Sequence, residues 1–450
     1  MTAPEVGAVV AGAGIAGLAA ALELQRAGLD VLVVDASDRP GGVMRTDHVS
    51  GYVIERGPNT TLVKAPMLEF LRTLGADQQL LAARPASRRR FIYTGDELVQ
   101  VPASPAALLR TPLLTARGKL RLLAEPFIRR GNAAEESVAE FIGRRFGGEA
   151  VTGLIGPFLT GVYAGDEREL GAAAVFPMLV ELERSCGSIA LGGLRQLFRS
   201  GRSRGLRGTY SAVEGLGPFA RGLAERLVEP AALESRVTGI RRDADGWMIL
   251  ISGPAGERRL LTERVVLAVP ADQAAEILRG VSSELAGILE AIEYAPVVGV
   301  PLGVDPDQVR EKIEGFGFLV PRQAAVPTLG CLFMSQLFPA RAPAGRELLQ
   351  CLLGGGRWPE AVDLPDDAIV KQVHSDLDRI LGLREAPRTL AVTRWRRAIP
   401  QPQRNHMAQM ARIRSRLAEL PGLSLAGAYL GGISVSDSLA SGLRAARDLD

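Results

Sequence analysis

The chain has 450 residues, 47% of them hydrophobic and 23% charged, the balance of a folded protein with about two or three structural units and far from that of a disordered tail. A formal net charge of +3 is too small for a dedicated nucleic-acid binder. Cys186, Cys331 and Cys351, odd in number and without Cys-x-x-Cys spacing, support neither a disulfide framework nor a thiolate metal site.

No uncharged stretch reaches the ~20 residues that cross a bilayer, and the first residues lack the basic region of a secretory signal. A mature, cytoplasmic chain with buried free thiols is therefore expected. Along the sequence, a short apolar run at 6–10, glycines at 12, 14 and 17, an apolar stretch at 18–24 and a second run at 31–34 predict strand, glycine turn, helix, strand. Residues 67–81 have helical spacing, and 91–93 followed by Thr94-Gly95 predicts one arm of a hairpin. Between 105 and 146 apolar positions recur at helical spacing, broken by Pro105, Pro112 and Pro126, which predicts a helical insert. Five arginines mixed with Gly and Ser at 195–208 predict a connector. A helix is expected at 216–227, then strands at 232–240, 247–252, 264–268, 299–304, 317–320, 329–333 and 348–353. Helices follow at 368–381 and 408–417, and a short strand at 423–428 leads through Gly431-Gly432 into a last helix from Ser436. There is no internal repeat.

The glycine cluster fits a mechanism. Gly12 allows a tight turn, Gly14 lets backbone N–H groups approach a pyrophosphate, and Gly17 allows close packing of helix on strand, with Ala13, Ile15 and Ala16 between them. Asp35, eighteen residues after Gly17, is placed to accept hydrogen bonds from a ribose diol. Asp38-Arg39-Pro40-Gly41-Gly42 adds a second glycine turn, which flavin enzymes use to cross the diphosphate again and NAD enzymes do not need. This pattern resembles the FAD-binding fold of the amine oxidase and phytoene desaturase type. Residues 265–271, with Pro270, and the return at 427–435 resemble further parts of that fold.

Within the superfamily, several segments resemble the protoporphyrinogen oxidase and coproporphyrinogen III oxidase family: Glu55-Arg56-Gly57-Pro58-Asn59-Thr60, Arg90-Phe91-Ile92-Tyr93, Thr160 to Asp166 with its Tyr-Ala-Gly-Asp element, Phe316 to Pro321, Phe338 to Pro343 and Ile399-Pro400-Gln401. One departure is Ser436-Asp437-Ser438, where the family often has Asn-Asp-Cys; Asp437 still suits a helix cap. The resemblance implies an α/β (α+β) architecture: a discontinuous, Rossmann-like FAD-binding domain from 1–88, 201–272 and 417–450, a helical insert at 89–200 able to meet a membrane, and a mixed-sheet substrate domain at 273–416. It implies non-covalent FAD held by Gly12 to Gly17, Asp35, Ala36, Arg39, Gly41, Gly42, Gly57, Pro58, Asn59, Thr60, Val237, Ala428, Ile433, Ser434 and Val435. It implies a porphyrinogen substrate with Leu319, Leu332 and Leu352 around the pyrrole rings, Arg90 on a propionate, Asn59 orienting the macrocycle and Gly161 approaching it through its backbone. Asn59, Arg90 and Gly161 are thereby the candidate catalytic residues. The implied reaction removes six electrons in three steps, each followed by reoxidation with dioxygen to hydrogen peroxide, within heme biosynthesis.

Plainer readings compete. Arg88 to Arg90 fit a solvated charge run, the leucines fit ordinary strand core, and Asn59 after Pro58 fits a turn. His48, His374 and His406 lack ligand spacing, so neither a metal nor a histidine base is expected, and no general base is named. Residues 108–130 alternate leucines with Arg110, Arg117, Lys119, Arg121, Arg129 and Arg130, which suits a peripheral contact with the cytoplasmic membrane face or a packed helix with a basic outer side. Coproporphyrinogen, with four propionates rather than two, is the alternative substrate. An amine oxidase, with only four lysines and 5% aromatic residues here, and a non-catalytic flavin protein are weaker alternatives. A homodimer is left open.

Overall fold

Alternation along Val6–Ala11 sends Ala8 and Val10 to one side of a sheet and Val9 and Ala11 to the other, and all four are fully buried, as a parallel strand covered on both faces requires. The computed structural model describes residues 6–133, 135–199, 205–244, 246–310 and 314–449. In chain order, the strands of its two large sheets are β1 (Val6–Ala11), β2 (Val31–Val34), β3 (Phe91–Tyr93), β4 (Leu98–Gln100), β5 (Arg236–Asp243), β6 (Gly246–Gly253) and β7 (Gly256–Leu267). They continue as β8 (Tyr294–Val304), β9 (Gly317–Leu319), β10 (Gly330–Phe333), β11 (Glu347–Gly354), β12 (Arg388–Thr389), β13 (Thr393–Pro400) and β14 (Leu423–Leu425). Three helices bear on the site: α1 (Ile15–Arg26), α2 (Gly156–Tyr163) and α3 (Val435–Arg447).

The first sheet runs β2-β1-β7-β6-β5, with β14 beside the end of β7. β7 is long enough to serve two partners on one edge: its first half pairs antiparallel with β6, and Val265 to Leu267 pair in parallel with β14. α1 and α3 cover one face, and helices Ala271–Leu278, Ser283–Glu290 and His406–Leu417 cover the other. The second sheet runs β12-β8-β11-β10-β9-β3-β4, with β13 also on β8. One of its faces, carrying Val298, Val300, Phe318, Cys331 and Cys351, is sealed by helix Asp366–Leu381. The other face looks toward the first sheet and carries the site.

The differences from the sequence reading have local causes. Residues 91–100, placed above in the helical insert, are the outer hairpin of the second sheet, because Phe91 and Ile92 pair in parallel with Phe318 and Leu319. Residues 273–290 and 406–416, placed in the substrate domain, pack against the first sheet. The segment 67–81 is a helix only over Ala65–Thr73, then a turn and a short strand paired with Tyr210–Ala212. The expected connector at 195–208 begins as the end of helix Ile189–Arg199, and its middle lies outside the described residues. Arg121 leaves the expected basic surface to donate to the carbonyl oxygens of Arg144 and Arg145, which satisfies the C-terminus of helix Val138–Phe146. Cys331 and Cys351 face each other across β10 and β11 as buried free thiols, whereas Cys186 is half-buried.

Candidate functional site

A cavity of about 610 Å³ opens at the C-terminal ends of β1, β2 and β7, where open α/β sheets bind ligands. Its floor is the glycine turn. Gly12 sits at φ +105°, and a Cβ there would stand 2.6 Å from the Ala268 carbonyl oxygen. A Cβ at Gly17 would overlap the Gly12 carbonyl oxygen, whereas one at Gly14 would meet no atom within 4 Å and would project into open space. The second turn closes on the first: the Gly41 N–H donates to Ala13 O at 2.8 Å, and Gly41 and Gly42 both have positive φ. Arg39 shapes that turn by donating to Met44 O at 3.1 Å and Gly42 O at 2.9 Å. Asp35 accepts from the Ala13 N–H at 2.6 Å and from the Ser37 N–H at 2.8 Å, so it also fastens the glycine turn, a duty the spacing did not reveal. Ala36 and Val237 line the same cavity. Asp35→Ala should weaken FAD binding by roughly 10- to 100-fold, given about 1.5–3 kcal/mol for hydrogen bonds to a charged group, measured by titrating apoprotein with FAD.

The loop 56–60 packs behind Val43, which lines the cavity, but Gly57, Pro58, Asn59 and Thr60, expected to hold the cofactor, do not line it themselves. Gly57 is required because a Cβ there would overlap the Val43 carbonyl oxygen. Trp395 Nε1 on β13 donates to Arg56 O at 2.7 Å, which ties the loop to the second sheet. Pro58, Asn59 and Thr60 are half-buried, and the buried Asn59 Oδ1 has no hydrogen-bond partner. At the C-terminal return, Gly427, Ala428 and Tyr429 line the cavity. The cap of α3 is Ser434, not Asp437: its Oγ accepts from the Asp437 N–H at 3.1 Å and donates to Asp437 Oδ2 at 2.6 Å, while Asp437 Oδ1 pairs with Lys64 at 2.6 Å. Val435 is buried behind this cap, and Ile433 lines a second cavity rather than the first. Tyr429 is 3% exposed, and its hydroxyl has no partner. Burial pushes its pKa up, as it pushes that of Tyr294 up to about 12. Tyr294, Trp395 and Tyr429 all line the cavity. Tyr429 lies in the C-terminal return that the sequence reading singled out, whereas Trp395 was missed because Thr393–Pro400 carries Arg394, Arg396 and Arg397 and no apolar alternation.

The face of the second sheet turned away from helix Asp366–Leu381 holds the candidate substrate residues. Leu319, Gly330, Leu352 and Gly299 stand in register across β9, β10, β11 and β8, and Gly317, Leu332 and Gln350 form the next row. All three leucines are half-buried. Leu352 packs near Ala164, Val297 and Ile399, whereas Leu332 belongs to a separate cluster with Phe316 and Phe338. Gly161 on α2 lies against Leu319, whose Cδ2 a Cβ at 161 would overlap. Arg90, just before β3, stacks its guanidinium 4.6 Å from the centroid of Phe316, and burial pushes its pKa down. Among the described residues it has no ion pair, unlike Arg89, which holds Glu314 at 2.5 Å. His374 only meets Thr389 Oγ1, at 3.3 Å.

The family model described as flavin containing amine oxidoreductase matches residues 15–450. The chain is 32% identical over 470 residues to protoporphyrinogen oxidase 2, chloroplastic/mitochondrial, of Arabidopsis thaliana, which covers 97% of this chain and 92% of that protein. It is 28% identical over 470 residues to the coproporphyrinogen III oxidase of Bacillus subtilis (strain 168), covering 98% and 97%. A solved structure from Exiguobacterium sp. 255-15, provisionally named a protoporphyrinogen oxidase, matches with TM-score 0.82 at 26% identity over 99% of this chain and 98% of that one.

Proposed function

Because the chain belongs to the flavin-containing amine oxidoreductase family, and within it to the group of protoporphyrinogen and coproporphyrinogen oxidases, we propose that it oxidises protoporphyrinogen IX to protoporphyrin IX, with dioxygen as acceptor and hydrogen peroxide as by-product. It is an oxidoreductase, and FAD is its cofactor. The residues present fit that group. Gly14 leaves open space where a diphosphate needs close backbone approach, the N-terminus of α1 supplies N–H groups to an anion, and Tyr429, which lines the cavity, has a buried hydroxyl without a partner.

When bound, FAD supplies the hydride acceptor. The chain supplies position. The observation that carries the reading is the face of the second sheet turned away from helix Asp366–Leu381, where half-buried Leu319 and Leu352 stand in one row with Gly330 and Gly299 and half-buried Leu332 in the next: three leucines on one side of a sheet offer an apolar wall to a broad, flat ligand. Asn59, on a loop hydrogen-bonded to that sheet, orients the macrocycle beside the flavin, and Gly161 sets the distance by letting α2 approach Leu319. Arg90 receives a propionate. Two other arginines near this face are already engaged: Arg357 donates to Val320 O at 2.7 Å and Val326 O at 3.0 Å, and Arg322 pairs with Asp166 at 2.8 Å. Among these three described arginines Arg90 alone is left without an ion pair or hydrogen bond, which supports a substrate with two propionates over one with four.

Porphyrin fluorescence with purified, FAD-loaded protein in air, corrected for autoxidation, should rise faster with protoporphyrinogen than with coproporphyrinogen. The reverse order would move the enzyme to the coproporphyrin branch, and no rise above background with either would sink the reading. Arg90→Ala should raise KM roughly tenfold while changing kcat less than about threefold, the pattern of a lost uniform binding contact; a fall in kcat at unchanged KM would rule out the propionate role.

We also propose a cytoplasmic enzyme that touches the membrane surface through its insert. Leu109, Leu120, Leu123 and Phe127 are exposed, Phe127 by 87%, beside Arg110, Arg117 and Lys119, which supports a basic amphipathic contact. Among the described residues no helix is long and apolar enough to cross a membrane.

A further inference from the structure

Behind Pro400, Ala428 and Tyr429, which line both spaces, lies a second cavity of about 230 Å³. None of the porphyrinogen-binding residues above opens into it. Ligand pockets for drug-sized molecules start near ~300 Å³, so its occupant is a molecule of few atoms, not a macrocycle. The outer rim is formed by Met407 and Arg414, both exposed. Ala173, Ala174, Pro177, Ile292 and Met410 give the cavity an apolar wall, a surface of the kind on which apolar gases settle. Polar groups interrupt the apolar lining: Gln401 lines the cavity, and so does His406, 8% exposed, its pKa pushed down by burial.

We infer that this second cavity is the route by which dioxygen reaches the reduced flavin and hydrogen peroxide leaves, separate from the porphyrinogen face. The inference rests on the oxidase reading. FAD, held by the glycine turn, would when reduced supply two electrons and two protons to dioxygen, giving hydrogen peroxide and oxidised flavin. An apolar gas crosses the Ala173–Met410 passage without leaving hydrogen bonds behind. The peroxide formed finds Gln401 and His406, which line the cavity, as hydrogen-bonding partners on its way out.

The test separates the half-reactions. FAD-loaded Ala174→Trp and Met407→Trp proteins are photoreduced without oxygen, then mixed with air-saturated buffer, and the return of oxidised flavin absorbance is timed. Reoxidation should slow by about tenfold in each, equivalent to ~1.4 kcal/mol on the barrier, while anaerobic reduction by porphyrinogen keeps the rate of the unaltered protein. Unchanged reoxidation in folded, flavin-loaded variants overturns the inference. If neither variant loads flavin, crystals of the unaltered protein under xenon pressure decide: xenon is expected between Ala174 and Met410, and an empty cavity overturns it. Photoreduction needs no porphyrinogen, so a failed substrate assignment leaves this outcome readable, whereas an unaltered protein that dioxygen does not reoxidise removes the inference directly.

Discussion

Gly17→Ala is expected to yield a folded but colourless protein whose affinity for FAD has fallen at least about 100-fold, or ~2.7 kcal/mol. The added Cβ would overlap the Gly12 carbonyl oxygen and stand 3.1 Å from the Ala268 Cβ. Neither neighbour can yield cheaply. Gly12 is itself wedged against the Ala268 carbonyl at φ +105°, and α1 cannot retreat, because Gly442 of α3 packs so tightly on it that a Cβ there would overlap the Ala16 carbonyl oxygen. Overpacking of this kind costs about 1–3 kcal/mol, and any shift of α1 turns its first N–H groups away from the diphosphate. Gly14→Ala is the control that separates packing from binding. It meets no protein atom within 4 Å, so stability should stay within about 0.5 kcal/mol while FAD affinity falls. The flavin absorbance per protein after purification, with circular dichroism to verify folding, measures both; a fully yellow Gly17→Ala protein would refute the close-packing argument.

These glycines also mark how far the sequence could be read. Gly12, Gly14 and Gly17 were legible because turn, approach and packing are all decided within one strand-turn-helix unit, so spacing alone carries the information. Gly57 was visible only through resemblance, and Gly442 escaped notice, since their partners, Val43 and Ala16, approach from other elements. The parallel strands β1 and β2 were legible as short apolar runs; β13 was not, because it carries three arginines, of which Arg394 donates to Leu364 O and Arg397 lines the cavity, and because Trp395 holds the 56–60 loop. The same limit applies to charge. Glu55 and Arg341 stood in separate motifs, yet they meet as a buried pair at 3.6 Å, with Glu55 also accepting from Thr46 Oγ1 and the Leu216 N–H. Burial pushes the Glu55 pKa up against those bonds. A charge pattern read along the chain shows neither the partner nor the depth.

Depth is what makes Glu125→Ala the second large effect. Glu125 and Arg145 are both 0% exposed and joined as an ion pair inside the helical insert. Glu125 also accepts from Ser188 Oγ at 2.6 Å and from the N–H groups of Ile189 and Ala190 at 2.9 and 3.1 Å, so it caps helix Ile189–Arg199 from a distance. Its removal leaves a buried guanidinium whose remaining carboxylate, on Glu183, is 3.4 Å away and shared with Arg144. Breaking one side of such a pair costs about 3–5 kcal/mol, whereas replacing both sides with apolar groups is often neutral. Glu125→Ala should therefore loosen the insert, read as faster amide exchange and proteolysis within 111–199, and Glu125→Leu combined with Arg145→Met should restore most of the protection. No residue of 105–199 lines the dinucleotide cavity, so the single variant should keep its FAD. It should nonetheless lose porphyrinogen turnover, because Gly161 meets Leu319 only while α2 stays docked. A Glu125→Ala protein that loses flavin together with the insert would show that the two cores fold as one unit and not as separable ones.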